Sequence, residues 1–376
     1  MKRYSLLILS ASCIIIYLIF NSNSVTLPIE NIDICSGLSF DINAISPVFE
    51  YDIAANAYSF PEKNKVSNTI LEGIGKNVAE TRSNRQTISS KKFLFGAQKV
   101  FIFSEALATY GINPIADIMF SNQQMNNDTW IVVCKDKALD ILKFKVEGTN
   151  TSSDYISGMI KSSEEQNFMS DRYKVVDMLL MIGSEGRNLV LPSLEIINNK
   201  ITLVGMAIFK KDKMVSNIPM SEAMYMNILK EDKVKGILTL QKDSQNLISN
   251  YGLSKKKVKC EKIDGKYKFT IDIEFNGEII NNSMYKDFMI NTKTVDKYSQ
   301  ELEEQTKKSC NDFINKMQNE YKVDCLELGR VAAATYGRNP DTDWDNIVCN
   351  SDIIVNVKVK VNNLGRGQFL FEKNDK

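Results

Sequence analysis

The stretch GMAIFKKDKMVSNIPMSEA, Gly205 to Ala223, reads as a strand, a charged turn, a second strand and the start of a helix. Nothing in it would catalyse a reaction. Upstream, LPSLEIINNKITLV supplies further strands with a turn at Asn198-Asn199, and the charged turn of the quoted stretch falls at Lys211-Asp212. Downstream, Met220 to Lys230 is a helix and GILTL another strand. KCEKIDGKYKFTIDIEF is then a hairpin with Asp264-Gly265 at its tip, where Tyr267, Phe269, Ile271, Ile273 and Phe275 alternate along one arm.

The same mixture extends in both directions. From Ile29 to Phe60, apolar and polar residues alternate as in strands; from Val66 the spacing predicts a helix through Ile70, Ile74 and Val78. LFGAQKVFIF (Leu94–Phe103) reads as a buried strand, and Ser104 opens a helix that Gly111 ends, with Pro114 opening the next. TWIVVC is a strand and KDKALDIL a helix; after a polar stretch from Glu147 to Gln166, a helix runs from about Ser170 to Ile182. A long helix from Thr294 to Tyr321 carries Val295, Tyr298, Leu302, Thr306, Cys310, Phe313 and Met317 on one stripe, which suits packing on a sheet. A following helix carries Leu326, Val331 and Ala332. DIIVNVKVKVNN, with Val355, Val357, Val359 and Val361 on one face, suits a half-buried antiparallel strand.

At 376 residues the chain exceeds what one core usually serves. With 47 basic and 46 acidic residues it offers no electrostatic footprint for nucleic acid. It contains no histidine, which excludes Ser-His-Asp, Cys-His and histidine-based zinc chemistry and makes an enzyme improbable. Its seven cysteines lie far apart, with no CxxC pair, and read as free, inert thiols.

The N-terminus begins with Lys2 and Arg3, followed by an uncharged, mostly apolar run from Ser5 to Phe20, on the boundary between a signal segment and a membrane span. The positive end places everything after Phe20 outside the membrane. Three outcomes stay open: an uncleaved anchor helix, lipid attachment at Cys13 within LSASC, or cleavage near Ser24. The residue three before Cys13 is Ser10, where a leucine is usual in a lipoprotein box.

Three motifs invite a chemical reading and have a blander one. EGIGKN (Glu72–Asn77) lacks the spacing of a phosphate loop. SKKKVK (Ser254–Lys259) could touch anionic lipid, but lysines also protect a hairpin edge. NPDTDW (Asn339–Trp344), with Asp345 beside it, offers carboxylates but too few alternating oxygens for calcium, and reads as a helix-breaking turn. No catalytic, cofactor-binding or metal-binding residue is therefore expected.

The order of segments resembles the Ger(x)C family, the C subunit of spore germinant receptors. ISSKKFLFGAQKVFIFSEALATYGINPIADIM (Ile88–Met119) is similar to one family segment and LPSLEIINNKITLVGMAIFKKDKMV (Leu191–Val215) to another. From Leu302 to Val361 the long helix, the Pro/Trp stretch and the valine strand are similar to the family's end. On that reading Gly205 and Ala207 serve close backbone packing and Phe209 anchors the hairpin. Two features depart: the usual lipobox cysteine aligns near Ser22, and an arginine often seen after the second helix is absent, its place falling in FSNQQ.

The resemblance implies an α+β fold of three serial mixed α/β domains after an N-terminal membrane anchor. The boundaries expected are 1–24 for the anchor or signal segment, 25–197 for an N-terminal α/β domain, 198–265 for a small middle domain and 266–376 for a C-terminal domain with the long helix. It implies a non-enzymatic subunit on the outer face of the spore inner membrane, working with two membrane-embedded A and B subunits in a complex that senses small nutrient germinants. We expect this chain mainly to scaffold the complex, since its sequence shows neither an apolar pocket signature nor convergent charges. The alternatives are an extracytoplasmic carboxylate-dependent hydrolase, with two acids facing each other across a cleft, and a transporter's solute-binding protein, with two similar lobes.

Overall fold

A computed structural model describes residues 4, 10–17, 28–45, 48–62, 65–285 and 291–363. Most of the expected anchor segment lies outside the described residues, as does the cleavage point near Ser24. Residues 10–17 are helical and exposed, Cys13 among them with a free thiol. No helix among the described residues is long and apolar enough to cross a membrane.

Two sheets organise the described chain, one of nine strands and one of four. The strands of the first are β1 (Ile32–Ile45), β2 (Val48–Glu62), β3 (Lys65–Gly75), β4 (Lys92–Leu94), β5 (Val100–Ser104), β6 (Trp130–Cys134), β7 (Val190–Ile197), β8 (Lys200–Lys210) and β9 (Lys213–Pro219). Their spatial order is β3-β2-β1-β5-β6-β7-β8-β9, with β4 also on β1. β1, β5, β6 and β7 run parallel at the centre, flanked by antiparallel hairpins on both sides. The second sheet is β10 (Val234–Gln241), β11 (Leu247–Ile263), β12 (Lys266–Asn282) and β13 (Asp352–Asn363), paired in that order.

The expected middle unit, 198–265, is divided between the two sheets. β8 and β9 extend the first because Gly205 and its neighbours pair on both sides, with β7 and with β9; β10 and β11 begin the second. Side-chain alternation explains why the first sheet is buried on both faces. Val100, Ile102, Val132 and Cys134 point into one apolar core, and Phe101, Phe103, Ile131 and Val133 into the other.

The helices cover those faces. α1 (Val78–Thr87) lies on β3; α2 (Glu105–Tyr110) and α3 (Asn113–Ser121) follow β5; α4 (Ala138–Lys143) and α5 (Ser152–Ser163) follow β6. α6 (Val175–Met181), α7 (Met220–Lys230) and α8 (Thr292–Lys316) come next, then α9 (Leu328–Tyr336) and α10 (Trp344–Cys349). α8 buries Tyr298, Leu302, Thr306, Cys310 and Phe313, most of the stripe read from the sequence, against the four-stranded sheet. A wider π turn (Met317–Tyr321) extends it, and Lys322 stops it with a left-handed φ of 53°.

Four elements differ from expectation. Residues 65–75 form a strand, because Gly73 and Gly75 share the face of Leu71 and conceal its alternation. Those glycines are required: a Cβ on Gly73 would sit 2.1 Å from the Thr81 carbonyl oxygen of α1. α5 occupies the stretch expected to be merely polar, opened by a reciprocal cap between Thr151 and Asp154. α6 begins at Val175, not near Ser170. β13 pairs parallel to β12, since the helices α8 to α10 carry the chain back before it re-enters the sheet.

Candidate functional site

A sheet with parallel central strands places ligands at the carboxyl ends of those strands. A cleft of about 510 Å³ lies there, and its lining includes Asp41, Ser104, Lys135, Lys137, Asp140 and Glu195. Four of these side chains have defined partners. Ala138 N–H and Leu139 N–H donate to the two oxygens of Asp41 at 2.9 and 3.0 Å, so Asp41 caps α4 across the sheet. Burial pushes the Asp41 carboxyl above its ordinary range, and these amides pull it back. Ser104 Oγ accepts from Leu107 N–H at 3.3 Å, and Lys135 pairs with Glu195 at 3.3 Å. These contacts give Asp41 a capping role and Glu195 a pairing role, which is not the arrangement the hydrolase reading asks for.

The strongest polar assembly lies where the two sheets meet. Four consecutive residues between α6 and β7 each reach the C-terminal half. Glu185 Oε1 accepts from Asn339 N–H and Trp344 Nε1–H, both at 2.8 Å. Arg330 N–H donates to the Gly186 carbonyl at 3.1 Å. Arg187 Nε stands 3.3 Å from Glu327, and Asn188 Nδ2 donates to the Asp324 carbonyl and to Asp345 Oδ1 at 3.3 and 2.6 Å. Asn188 Oδ1 accepts from Lys211 N–H at 3.2 Å, tying in the β8–β9 turn of the opening stretch. Gly205 belongs to the same hairpin: a Cβ there would lie 1.8 Å from the Ile218 carbonyl oxygen, while Ala207 and Phe209 are fully buried.

Around this clasp the buried charges converge. Lys230, Glu231 and Glu327 are each 5% exposed or less. Glu327 faces Lys230 at 3.9 Å, Arg187 at 3.3 Å and Arg330 at 3.1 Å. Burial opposes its ionisation, yet these cations hold its carboxyl below the ordinary range. Arg172 pairs with Glu231, and Lys256 Nζ donates to the Lys230 carbonyl. Burial in the first place, with repulsion from Lys230 and Arg172, pushes the Lys256 ammonium down to about 8.

Asp324 is fully buried and accepts from Leu326, Leu328 and Gly329 N–H groups, at 3.2, 3.1 and 2.6 Å, at the start of α9. Burial, aided by the Asp345 carboxylate, pushes it up to about 7 against those amides. The folded chain therefore binds this proton more tightly than the unfolded chain, whose carboxyl titrates near 3.8. The stability it contributes is complete below pH 3.8 and is lost as the pH rises toward 7. Urea unfolding of the protein and of Asp324→Asn at pH 4.5 and 7.5 should show a steeper loss in the parent; parallel losses would refute the assignment.

The motifs singled out in the sequence fall into structural places. Glu72 to Gly75 end β3, and Asn77 caps α1 by accepting from Glu80 N–H at 2.9 Å. Ser254 to Lys259 lie on β11, whose pairing with β10 stops at Ser254, leaving a lysine-bearing edge. Asp343 caps α10 and Asp345 joins the clasp. No group of acidic and cysteine residues that could hold a metal ion occurs among the described residues. The seven thiols are free, and burial pushes Cys35 and Cys310 up to about 12. Cys13 meets none of these features.

Two sequence expectations are corrected here. Charges do converge, at the seam, from residues far apart in the chain. An apolar cavity of about 170 Å³ also exists, between α1, α3 and the strands β1 and β2.

The chain matches two family descriptions in succession: "Spore germination protein N-terminal domain" over residues 26–196 and "Spore germination B3/ GerAC like, C-terminal" over residues 204–365. It is 24% identical to the spore germination protein YndF of Bacillus subtilis (strain 168) over 307 residues, 77% of this chain and 74% of that protein. It is 20% identical to the spore germination protein GerQC of Bacillus cereus over 208 residues, 55% of this chain and 57% of that protein. The crystal structure of the GerBC protein superposes with a TM-score of 0.57 at 14% identity, over 87% of this chain and 97% of that one. With matched segments running from residue 26 to 365 and a shared mixed α/β fold, the chain belongs to the GerAC-like, or Ger(x)C, family of spore germination proteins.

Proposed function

We propose that this chain is the non-catalytic C subunit of a membrane germinant-receptor complex that promotes spore germination in response to small nutrients. Its partners are the A and B membrane subunits, and its body stands on the outer face of the spore inner membrane, tethered by residues 1–24 or by a lipid on Cys13. The observation that carries the reading is the pair of family matches covering both halves in order. The unlike sheets, nine strands against four, argue against the two similar lobes of a solute-binding protein.

Affinity capture of the full chain from detergent-solubilised spore membranes tests the complex. Two integral membrane proteins should co-purify in constant ratio, and their absence under conditions that retain the chain in the membrane would sink the reading. Mass spectrometry of the same material decides the tether: an intact Met1 peptide indicates the anchor helix, a diacylated Cys13 peptide the lipid.

A further inference from the structure

α1 carries two arginines on the side of the N-terminal core, Arg85 buried and Arg82 exposed at its rim. Arg85 is 9% exposed; its Nη1 donates to the Ile53 carbonyl at 2.7 Å and to Thr81 Oγ1 at 3.2 Å. Arg82 lies with its guanidinium 5.5 Å from the Phe95 ring centroid. Among the described residues neither guanidinium forms an ion pair. Burial, aided by the neighbouring Arg82 charge and opposed by Cys35 and Asp52, pushes Arg85 down to about 10, so it remains charged near neutrality. A buried cation without a paired carboxylate is costly, and an anion that reached it would remove that cost.

Both arginines line the cavity of about 170 Å³, whose wall is otherwise mainly apolar, with Leu38, Phe40, Ile115 and Met119 among its residues. An apolar cavity of about 150 Å³ is large enough to hold a benzene ring. Arg82, Phe95 and Met125 also line an adjoining outer cleft of about 1000 Å³. The inner wall holds no acidic side chain, and the outer cleft's Asp128 is paired with Lys174 at 3.3 Å. An ammonium group would therefore find no unpaired carboxylate there, whereas a carboxylate would find two guanidiniums suited to bind it.

We propose that this cavity binds a small apolar monocarboxylate, its aromatic or branched end among Leu38, Phe40, Ile115 and Met119 and its carboxylate on Arg82 and Arg85. The site needs no membrane partner, so its test stands apart from that of the complex. Calorimetric titration of the full-length chain with 3-phenylpropanoate should show saturable binding. The uncharged 3-phenylpropan-1-ol should bind about tenfold more weakly or worse, and the Arg82→Gln chain should lose a similar factor for the carboxylate. L-Phenylalanine, with its ammonium, should also bind more weakly. Ala79 lines the cavity from an exposed position on α1, so Ala79→Leu should occlude it and abolish binding while leaving the unfolding midpoint in place. Absence of saturation, equal affinity for acid and alcohol, or binding that survives Ala79→Leu would overturn the proposal.

Discussion

Replacing Glu327 by Gln is expected to lower the free energy of unfolding by about 3–5 kcal/mol, the range found when one partner of a buried ion pair is removed. Glu327 faces three cations, and Lys230, at 5% exposure, is the one that cannot regain water. Its other carboxylate, on Glu231 at 3.9 Å, also serves Arg172. The substitution keeps the side-chain volume, removes the charge and turns one acceptor oxygen into an amide donor. Urea unfolding followed by tryptophan fluorescence should report it, with Trp344, which bonds Glu185 in the same clasp, contributing beside Trp130. A Lys230→Met change in the Glu327→Gln background should recover part of the loss, because an apolar group then replaces the stranded cation. A shift below about 1 kcal/mol would mean that water reaches the seam and that its charges act as surface pairs do.

Gly186→Ala is expected to cost about 3 kcal/mol, from two independent penalties. Gly186 has φ of +65°, a conformation in which an L side chain loses roughly 1–2 kcal/mol. A Cβ there would also lie 2.3 Å from the backbone of Gly329 and Arg330, an overlap that must be relieved by moving the chains apart, at about 1–3 kcal/mol. The neighbouring contacts of Glu185, Arg187 and Asn188 depend on that approach, so the loss should be accompanied by faster amide exchange at Arg330, whose N–H donates to the Gly186 carbonyl. Gly183 gives the contrasting measurement. It also has positive φ, 77°, but a Cβ there meets nothing within 4 Å, so Gly183→Ala should lose only the conformational part.

The features that sequence reading caught are the local ones. The turns at Asn198-Asn199 and Asp264-Gly265 hold left-handed residues, and their side-chain types announce this without help from the rest of the chain. α7 at Met220 to Lys230 and the cap of α2 by Ser104 are equally local. Where a neighbour decides the structure, the sequence was silent or misleading. Gly73 and Gly75 left β3 without visible alternation, because the space for their side chains is occupied by α1. α5 has few apolar residues to mark a stripe, although Thr151 with Asp154 three places on is a capping signal that could have revealed it.

The clasp was the least readable part. Asn188 bonds residues 136 and 157 positions away, and Glu185 bonds Trp344 at a separation of 159. Only the folded topology brings such partners together. The same holds for the arginine-lined cavity, assembled from α1, α3 and strands on either side of them.

The first strand lies inside the sheet, bonded to β2 along one edge and to β4 and β5 along the other. A pull applied to the chain ahead of Ile29 would therefore act on an interior strand of the nine-stranded sheet, not on a peripheral hairpin. Tension along that strand must shear two ladders of hydrogen bonds together, whereas a load on an outermost strand would unzip one rung at a time. A load applied at that point would thus be resisted by many bonds at once before the architecture gave way.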